Sequence, residues 1–505
     1  MKRLIVNLFF FITTTVFSQQ YYFGDFQTRY ALDKAHLFSK NKHSISKPYL
    51  IEKDNFPTVQ SGFWSYSSSM DSSSLKILPL IGFQGKYDLI PNNSSNSSLI
   101  GAQVNTLIGE KIFSQLRIGY QSGSLSHYEL NSNYKRPFAP GFGYLNDSLK
   151  STYSKLLFEG IFSYRFNKYF VLSSGIDRNF FGDGYRSLWL SDYAPAYPFM
   201  KLESTFWKAK YINLWSLHDD LYTQRFSRRK FSSSHMLSVN VTDWLNLSLF
   251  ESVVWQAKDT LSARGFDINY INPFIFFRPV EYSIGSADNS FLGGGVKISF
   301  LDHFVIYGNF ILDEFLLGEF LSSSGWWGNK YGFQFGIKAF DLMNIKGLYS
   351  LLECNLVRPY TYAHMSSMQN YGHQNHSLAH PLEANFKEAL ILVGYQKGNF
   401  DFLIQYHLQQ FGKDINGENY GSNIFNSYND RFGNNVDDGH FIGQGEKTNQ
   451  QILNARISCM LFPLTNTKLF TQFNYRLNKT SNNLNQNILL NFGISSNLWQ
   501  SYLDY

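Results

Sequence analysis

One feature constrains this chain more than any other: side-chain character alternates with a period of two, in runs of about ten residues. Over residues 156–166, Leu156, Phe158, Gly160, Phe162, Tyr164 and Phe166 share one face, and Leu157, Glu159, Ile161, Ser163 and Arg165 share the other. The same alternation recurs at 112–120, 331–337, 401–408 and 469–477. A period of two is that of a β-strand. One face is aromatic and aliphatic, and the other is Gln, Asn, Ser, Gly or charged. A soluble sandwich can produce that pattern with its apolar face inward. Two observations favour the inverse. The runs match the length of a tilted transmembrane strand. Aromatics also gather near run ends (Trp207 and Trp215, Trp244, Phe166 and Tyr169, Trp499), where membrane interfaces would meet them.

Composition agrees. Aromatic residues make up 18% of the 505 residues and charged residues only 16%, against about 25% charged in soluble domains. The mean hydropathy is nevertheless negative, and no long uncharged apolar run follows the N-terminus, which argues against a helical membrane bundle. Abundant aromatics argue against disorder. Two cysteines, Cys354 and Cys459, exclude a disulfide scaffold; each lies in a strand-like run and reads as a buried free thiol rather than half of a bridge. The expected fold is all-β: a transmembrane antiparallel barrel of 16 to 18 strands, an even number, spanning 61–505.

Lys2 and Arg3, an apolar stretch to Phe17 and a small residue at Ser18 have the three-part form of a secretory signal peptide, residues 1–18. No cysteine follows it to carry a lipid. Residues 19–60, with a short helix expected over 27–39, are placed outside the barrel wall on the periplasmic side. The expected location is the outer membrane. Without Lys2 and Arg3 the formal charge of +6 falls to +4, too little over this length to suggest nucleic acid.

Four segments carry the chemistry. Residues 175–207 hold Asp177, Arg178, Asn179, Asp183, Arg186 and Asp192 among aromatics. Such a mixture suits sugar recognition, but a network of ion pairs that fills a barrel is the reading it favours, because buried charges are normally paired. Gly182 and Gly184 only weakly resemble a phosphate loop, because no Lys-Ser/Thr follows. Residues 270–289 hold Arg278, Glu281, Asp288 and Asn289; nothing fixes the spacing of the two acids as a glycosidase pair. Residues 325–330, GWWGNK, carry Trp326 and Asn329, with the adjacent tryptophans read as facing opposite sides of a strand. Residues 358–385 carry Arg358, Tyr360 and four of the twelve histidines, His364, His373, His376 and His380. Their spacing fits no metal motif, so hydrogen bonding or contact with a polysaccharide is the expected use. No nucleophile elbow, kinase set or P-loop occurs, and neither an enzyme nor a cofactor is expected.

Together these segments resemble the Wzi-like capsule assembly proteins and the related gliding-motility RemB branch of Bacteroidetes. The resemblance rests on NFFGDGYRSLWLSDYAPAYPFMKLESTFWKAKYINL, DWLNLSLFESVVW, DINYINPFIFFRPVEYSIGSADNSFLGGGVK, GWWGNKYGFQFGIKAFD and RPYTYAHMSSMQNYGHQNHSLAHPLEANFKE; the last two look closer to RemB. It spans about residues 155–430. It implies an eighteen-stranded outer-membrane barrel with a periplasmic N-terminal segment. It further implies either a lectin that holds capsular polysaccharide or a surface component of gliding, with capsule-export or gliding machinery as partners. The polar positions named above are the candidate ligand-binding residues. Residues 20–60 look poor in helix beside Wzi-like members, which weakens any expectation of a sugar site built on helices there.

Overall fold

The computed structural model describes residues 20–22, 33–34, 43–51, 64–68, 73–90, 92–109, 111–132, 138–139, 143–144, 152–219, 229–258, 264–273 and 288–496. The expected signal peptide, Trp499, Arg278 and Glu281 lie outside them.

Eighteen antiparallel strands close into a barrel. They are β1 (Ser73–Ile90), β2 (Asn93–Ile108), β3 (Ile112–Ser124), β4 (Thr152–Arg165), β5 (Phe170–Asp177) and β6 (Tyr197–Phe206). Next come β7 (Ala209–Asp219), β8 (Arg229–Asn240), β9 (Leu245–Gln256), β10 (Asn289–Phe300), β11 (Phe304–Leu312) and β12 (Tyr331–Phe340). The ring ends with β13 (Leu348–Val357), β14 (Phe386–Lys397), β15 (Phe400–Lys413), β16 (Glu446–Phe462), β17 (Thr467–Lys479) and β18 (Leu484–Ser496). Each pairs with its neighbours in the chain, and β18 closes on β1 from Ile488↔Ile90 to Ser495↔Gly82. A short strand, Trp64–Ser68, takes the remaining length of the same β1 edge, opposite Ser73–Ile77.

Connections differ at the two ends. Turns such as 166–169, 207–208, 301–303 and 398–399 are short, whereas 178–196, 257–288, 313–330, 358–385 and 414–445 are long and lie at the opposite end. Short turns mark the periplasmic side of a bacterial barrel and long loops the outer side. β1 begins and β18 ends at the short-turn side, as an even strand number requires.

The alternation resolves as expected. Leu156 is 68% exposed and Leu157 2%; Phe158 and Phe162 point out while Glu159 and Ser163 are buried inside. Phe333 and Phe335 face out around buried Gln334, and Phe402 and Ile404 face out beside buried Gln405. Trp207, Trp244, Phe166 and Tyr169 are exposed at the short turns, as an interfacial girdle.

Three expectations are corrected. Trp215 belongs to no girdle. It is buried, and its Nε1 donates to the Tyr270 carbonyl (2.9 Å), because residues 264–273 fold down over the outer face of β7–β9. On that face Asn213, His235 and Glu251 point outward by register yet are almost fully buried. Cys354 is not buried by protein; it faces outward and is exposed, and neither cysteine is in a disulfide. The N-terminal segment is not wholly outside the wall. Residues 43–47 lie within the lumen, where Ser46–Lys47 pair with Phe180–Phe181 and Ile45 is fully buried. Of the helix expected over 27–39 the described part is residues 33–34, at the periplasmic mouth, where Asp33 pairs with Lys338 (2.5 Å) and Lys34 with Asp341.

The lumen is filled by the chain itself. Ile45, Phe181, Leu188, Trp189, Leu190, Tyr362, Tyr371, Leu378 and Phe425 pack with inward Phe113, Phe250, Phe291 and Phe386 into one hydrophobic core. The inner face is therefore mixed, where the sequence suggested a wholly polar one.

Candidate functional site

The segment between β5 and β6, residues 178–196, runs into the lumen and docks on its wall. Asp177 at the end of β5 pairs with Arg117 of β3, which also lies 3.3 Å from Glu159. Arg178 donates to the Asp192 carbonyl (3.4 Å), tying the two ends of the segment together, with Asn179 fully buried between them. Asp183 accepts from Ser44 of the N-terminal segment (2.9 Å) and lies 3.7 Å from Lys297. The Arg186 guanidinium lies 3.3 Å from the Glu388 carboxylate of β14. The Tyr185 and Arg186 amides donate to Glu353 of β13 (2.8 and 3.1 Å), and Gln334 of β12 donates to the Arg186 carbonyl (3.0 Å).

The glycines of this segment have a local reason. A Cβ on Gly184 would sit 2.4 Å from the Glu353 carboxylate, so only glycine allows that approach. Gly182 has a φ of 148°, which side chains disfavour. These glycines serve docking; no phosphate-type loop forms. Trp189 explains two of the three glycines of β10. Its indole lies over inward Gly293 and Gly295, where a Cβ would be 2.5 and 3.0 Å away, stacks on Phe250 (5.4 Å between centroids) and donates to the Phe310 carbonyl (2.9 Å).

Residues 358–385 form a second buried strap across this plug. The Tyr362 hydroxyl donates to the Leu188 carbonyl (2.8 Å), and the Ser191 amide to that of Leu378 (2.7 Å). The histidines disperse. His380 Nε2 lies 2.7 Å from Glu388, His373 accepts from the Asp219 amide (3.1 Å), His376 meets the Gln374 carbonyl (2.8 Å) and Tyr193, and His364 lies further out. Among the described residues no three His, Cys, Asp or Glu side chains converge as metal ligands. At the rim, Asp288 accepts from Arg264 (2.7 Å), the Tyr270 hydroxyl (2.6 Å) and Gln369 (3.1 Å), while Asn289 donates to the Gln369 carbonyl (2.9 Å).

A separate group faces outward at the long-loop end. Trp326 and Trp327 belong to the connection 313–330, not to a strand as expected, and both are half-buried, their rings 5.9 Å apart. Loop 414–445 brings Tyr428 to 4.7 Å from Trp327, and the Arg431 guanidinium to 4.0 Å from the Trp327 ring. Arg431 is oriented by Asp437 (2.9 Å). Arg358 donates to the Trp326 carbonyl (3.0 Å), Asn329 accepts from the Leu316 amide (2.8 Å), and the Tyr360 hydroxyl donates to the Asn419 carbonyl (3.0 Å). His364 packs edge-on against Tyr428 (5.8 Å). Burial, with Lys330 nearby, takes the His364 imidazole down to about 4. Burial likewise pushes the Asp313 carboxyl up to about 7, although Lys330 Nζ is 3.1 Å away.

Among the described residues the candidates fall into three places, the first being the rim, with Asp288 and Asn289. Asp177, Arg178, Asn179, Asp183, Arg186, Asp192 and His376 belong to the plug, where the side-chain contacts described above are to this chain's own groups. Trp326, Asn329, Arg358, Tyr360 and His364 surround the outer platform. Trp327, Tyr428 and Arg431 were not among the sequence candidates. Trp327 had a signal, its neighbour in GWWGNK. Tyr428 and Arg431 are isolated in an Asn/Gly-rich loop and had none. The half-open Trp326 indole, beside a Trp327 on whose ring Arg431 is stacked, can pack on the apolar face of a sugar ring, and the Asp437 carboxylate can bond its hydroxyls.

No family model matches the chain, and no curated protein matches it. Among solved structures it is similar to Wzi of Escherichia coli, described as an outer-membrane protein involved in group 1 capsule assembly and a carbohydrate-binding β-barrel. The TM-score is 0.51 at 12% identity, over 83% of this chain and 85% of that one. OpdK of Pseudomonas aeruginosa, another outer-membrane protein, aligns with a TM-score of 0.46 at 9% identity, over 85% of this chain and 99% of that one. At such identities the likeness to Wzi is one of fold: this chain is an outer-membrane-type β-barrel.

Proposed function

We propose that this chain is a non-enzymatic outer-membrane barrel that binds extracellular, capsular-type polysaccharide through the platform of Trp326, Trp327, Tyr428 and Arg431. The observation that carries this reading is the pairing of a half-open aromatic platform on the long-loop side with a lumen the chain itself fills. A filled lumen suits a binding protein better than a diffusion channel. The carbohydrate binding described for the structurally similar Wzi supports the same reading. The test is binding of the purified protein in detergent to capsular polysaccharide from its own cell and to a glycan array. Binding that weakens in Trp327→Ala and Arg431→Ala is expected. No binding, or binding indifferent to both variants, rejects the proposal. The segments that look RemB-like support a competing role in gliding or adhesion. A deletion strain separates the two: lost capsule retention with normal spreading favours polysaccharide anchoring, and the converse favours motility.

A further inference from the structure

The outer face of the barrel is not a uniform apolar belt. Between β8 and β14 it is hollowed into a groove of about 1070 Å³. The groove has a simple origin. Gly294 of β10 and Gly308 of β11 both point outward by register, on adjacent strands, so the wall lacks two side chains there. Phe310 swings over Gly294, where a Cβ would meet its ring at 2.6 Å. Over Gly308 there is room for a methyl in ordinary contact, its nearest neighbours lying 3.7 to 4.0 Å away. Leu249, Val296, Phe333, Phe335 and Leu356 make the apolar sides, and Lys387 stands at the groove's outer end.

Lys387 also begins a row. On the outward face, Lys387 of β14 is paired in register with Gln410 of β15, Gln410 with Asn449 of β16, and Asn449 with Lys479 of β17. Gln410 Nε2 donates to Asn449 Oδ1 (3.0 Å), and Lys447 stands two residues outward of Asn449. Lys387, Lys447 and Lys479 are exposed, and among the described residues none has a carboxylate within ion-pair distance. Lys413 is excluded from the group, because Glu446 lies opposite it in register. Elsewhere on the described strand ends of this side the outward cation is Arg229, which Asp219 faces at 3.9 Å. Four residues further into the wall the same strands present Ile391, Tyr406, Leu453 and Tyr475, paired in one apolar row. The lysine row thus lies where an apolar belt gives way to the head-group zone of the outer leaflet.

We propose that this face is a binding site for a phosphorylated glycolipid of the outer leaflet. An acyl chain lies in the groove over Gly308, the phosphates sit on Lys387, Lys447 and Lys479, and Gln410 and Asn449 meet sugar hydroxyls. Unpaired cations complement phosphate, and the groove continues the surface that already faces lipid. The site is independent of the platform proposed for polysaccharide.

The test uses full-length protein in detergent micelles with three probes: diphosphorylated lipid A, the same lipid with its phosphates removed, and phosphatidylglycerol. Retention of each after exchange into fresh detergent is read by native mass spectrometry. Wild type retains diphosphorylated lipid A well above both other probes. K387Q/K447Q/K479Q lowers that retention about a hundredfold, from about fivefold per lysine. Gly308→Leu fills the groove and lowers retention of every lipid while keeping the preference for phosphate. Both variants are first checked for the heat-dependent gel shift of a folded barrel; should the triple variant not fold, K447Q alone carries the test, with about a fivefold loss expected. Equal retention of lipid A with and without phosphates, or retention unchanged by the lysine substitutions, overturns the proposal. Phosphatidylglycerol retained as well as lipid A overturns the glycolipid assignment.

Discussion

Arg186→Met should open the barrel without unfolding it. The Arg186 guanidinium is fully buried, with Nη2 3.3 Å and Nε 3.4 Å from the two oxygens of Glu388. Glu388 also accepts from Gln409 (2.8 Å) and Asn355 (3.2 Å), and lies 2.7 Å from His380. Those groups stay when Arg186 goes, but the permanent cation does not. Breaking a buried pair from one side costs about 3–5 kcal/mol, because the remaining charge is left without compensation. At about 1.4 kcal/mol per factor of ten, the docking constant of residues 178–196 falls by about 10² to 10⁴. The ladder of the wall makes no use of Arg186, so the loss falls on docking. Planar-bilayer recording is the assay: wild type silent, Arg186→Met showing steps of conductance. The double variant Arg186→Met/Glu388→Gln removes both charges and should recover most of the closure, with a coupling of at least about 1.5 kcal/mol. A silent Arg186→Met barrel with an unchanged unfolding midpoint would refute the reasoning.

Other outcomes follow from the same contacts. Gly293→Ala puts a methyl 2.5 Å from the Trp189 indole and should cost about 1–3 kcal/mol, read as a lower thermal midpoint and altered tryptophan emission. Gly308→Ala, whose methyl would meet its neighbours no closer than 3.7 Å, is the matched control and should leave both unchanged. His364, held neutral down to about 4, contributes stability that is complete above its unfolded value near 6.5 and lost as pH falls from there toward 4. Proteolysis of residues 358–385 should therefore quicken across that window, by at most about 3 kcal/mol of local stability, and His364→Gln should flatten the dependence. Trp327→Ala removes its contacts with Arg431 and Tyr428, worth about 1–2 kcal/mol together, and should weaken polysaccharide binding while lowering the unfolding midpoint only slightly.

What the sequence shows and hides follows from the range of the interactions. Phe158 and Glu159 declare their faces because strand geometry forces alternation whatever the tertiary context. Trp207 and Trp244 declare a boundary because they end runs. Sixteen to eighteen strands follow from the length of the chain, and the structure has the upper number. The plug is different. Asp183, Arg186 and Asp192 could have met a sugar or a wall, and their partners Ser44, Lys297 and Glu388 are far away in sequence. Aromatics were assigned to lipid, but Trp189, Tyr362 and Phe250 are equally aromatic and pack inside. Trp215 could not be told from a girdle residue, because its cover comes from a loop whose fold-back no local pattern announces. Loop 414–445 gave no signal for Tyr428 and Arg431, which matter through the Trp327 they meet.

Residues 43–47 precede every strand of the wall, yet they end inside it, bridged by His43 to Ser238 (2.8 Å) and by Lys297 to Ser44 (2.5 Å). This bears on how the molecule is put together. Were β18 to zip onto β1 first, this stretch would have to thread a cylinder that residues 178–196 also occupy. The simpler order has the tail and the plug meet while the sheet is still open, with the β1–β18 seam sealing last around them. The fit between Ser46–Lys47 and Phe180–Phe181 would then act as a checkpoint in biogenesis, and a chain that lost it would insert as a cylinder with its stopper misplaced.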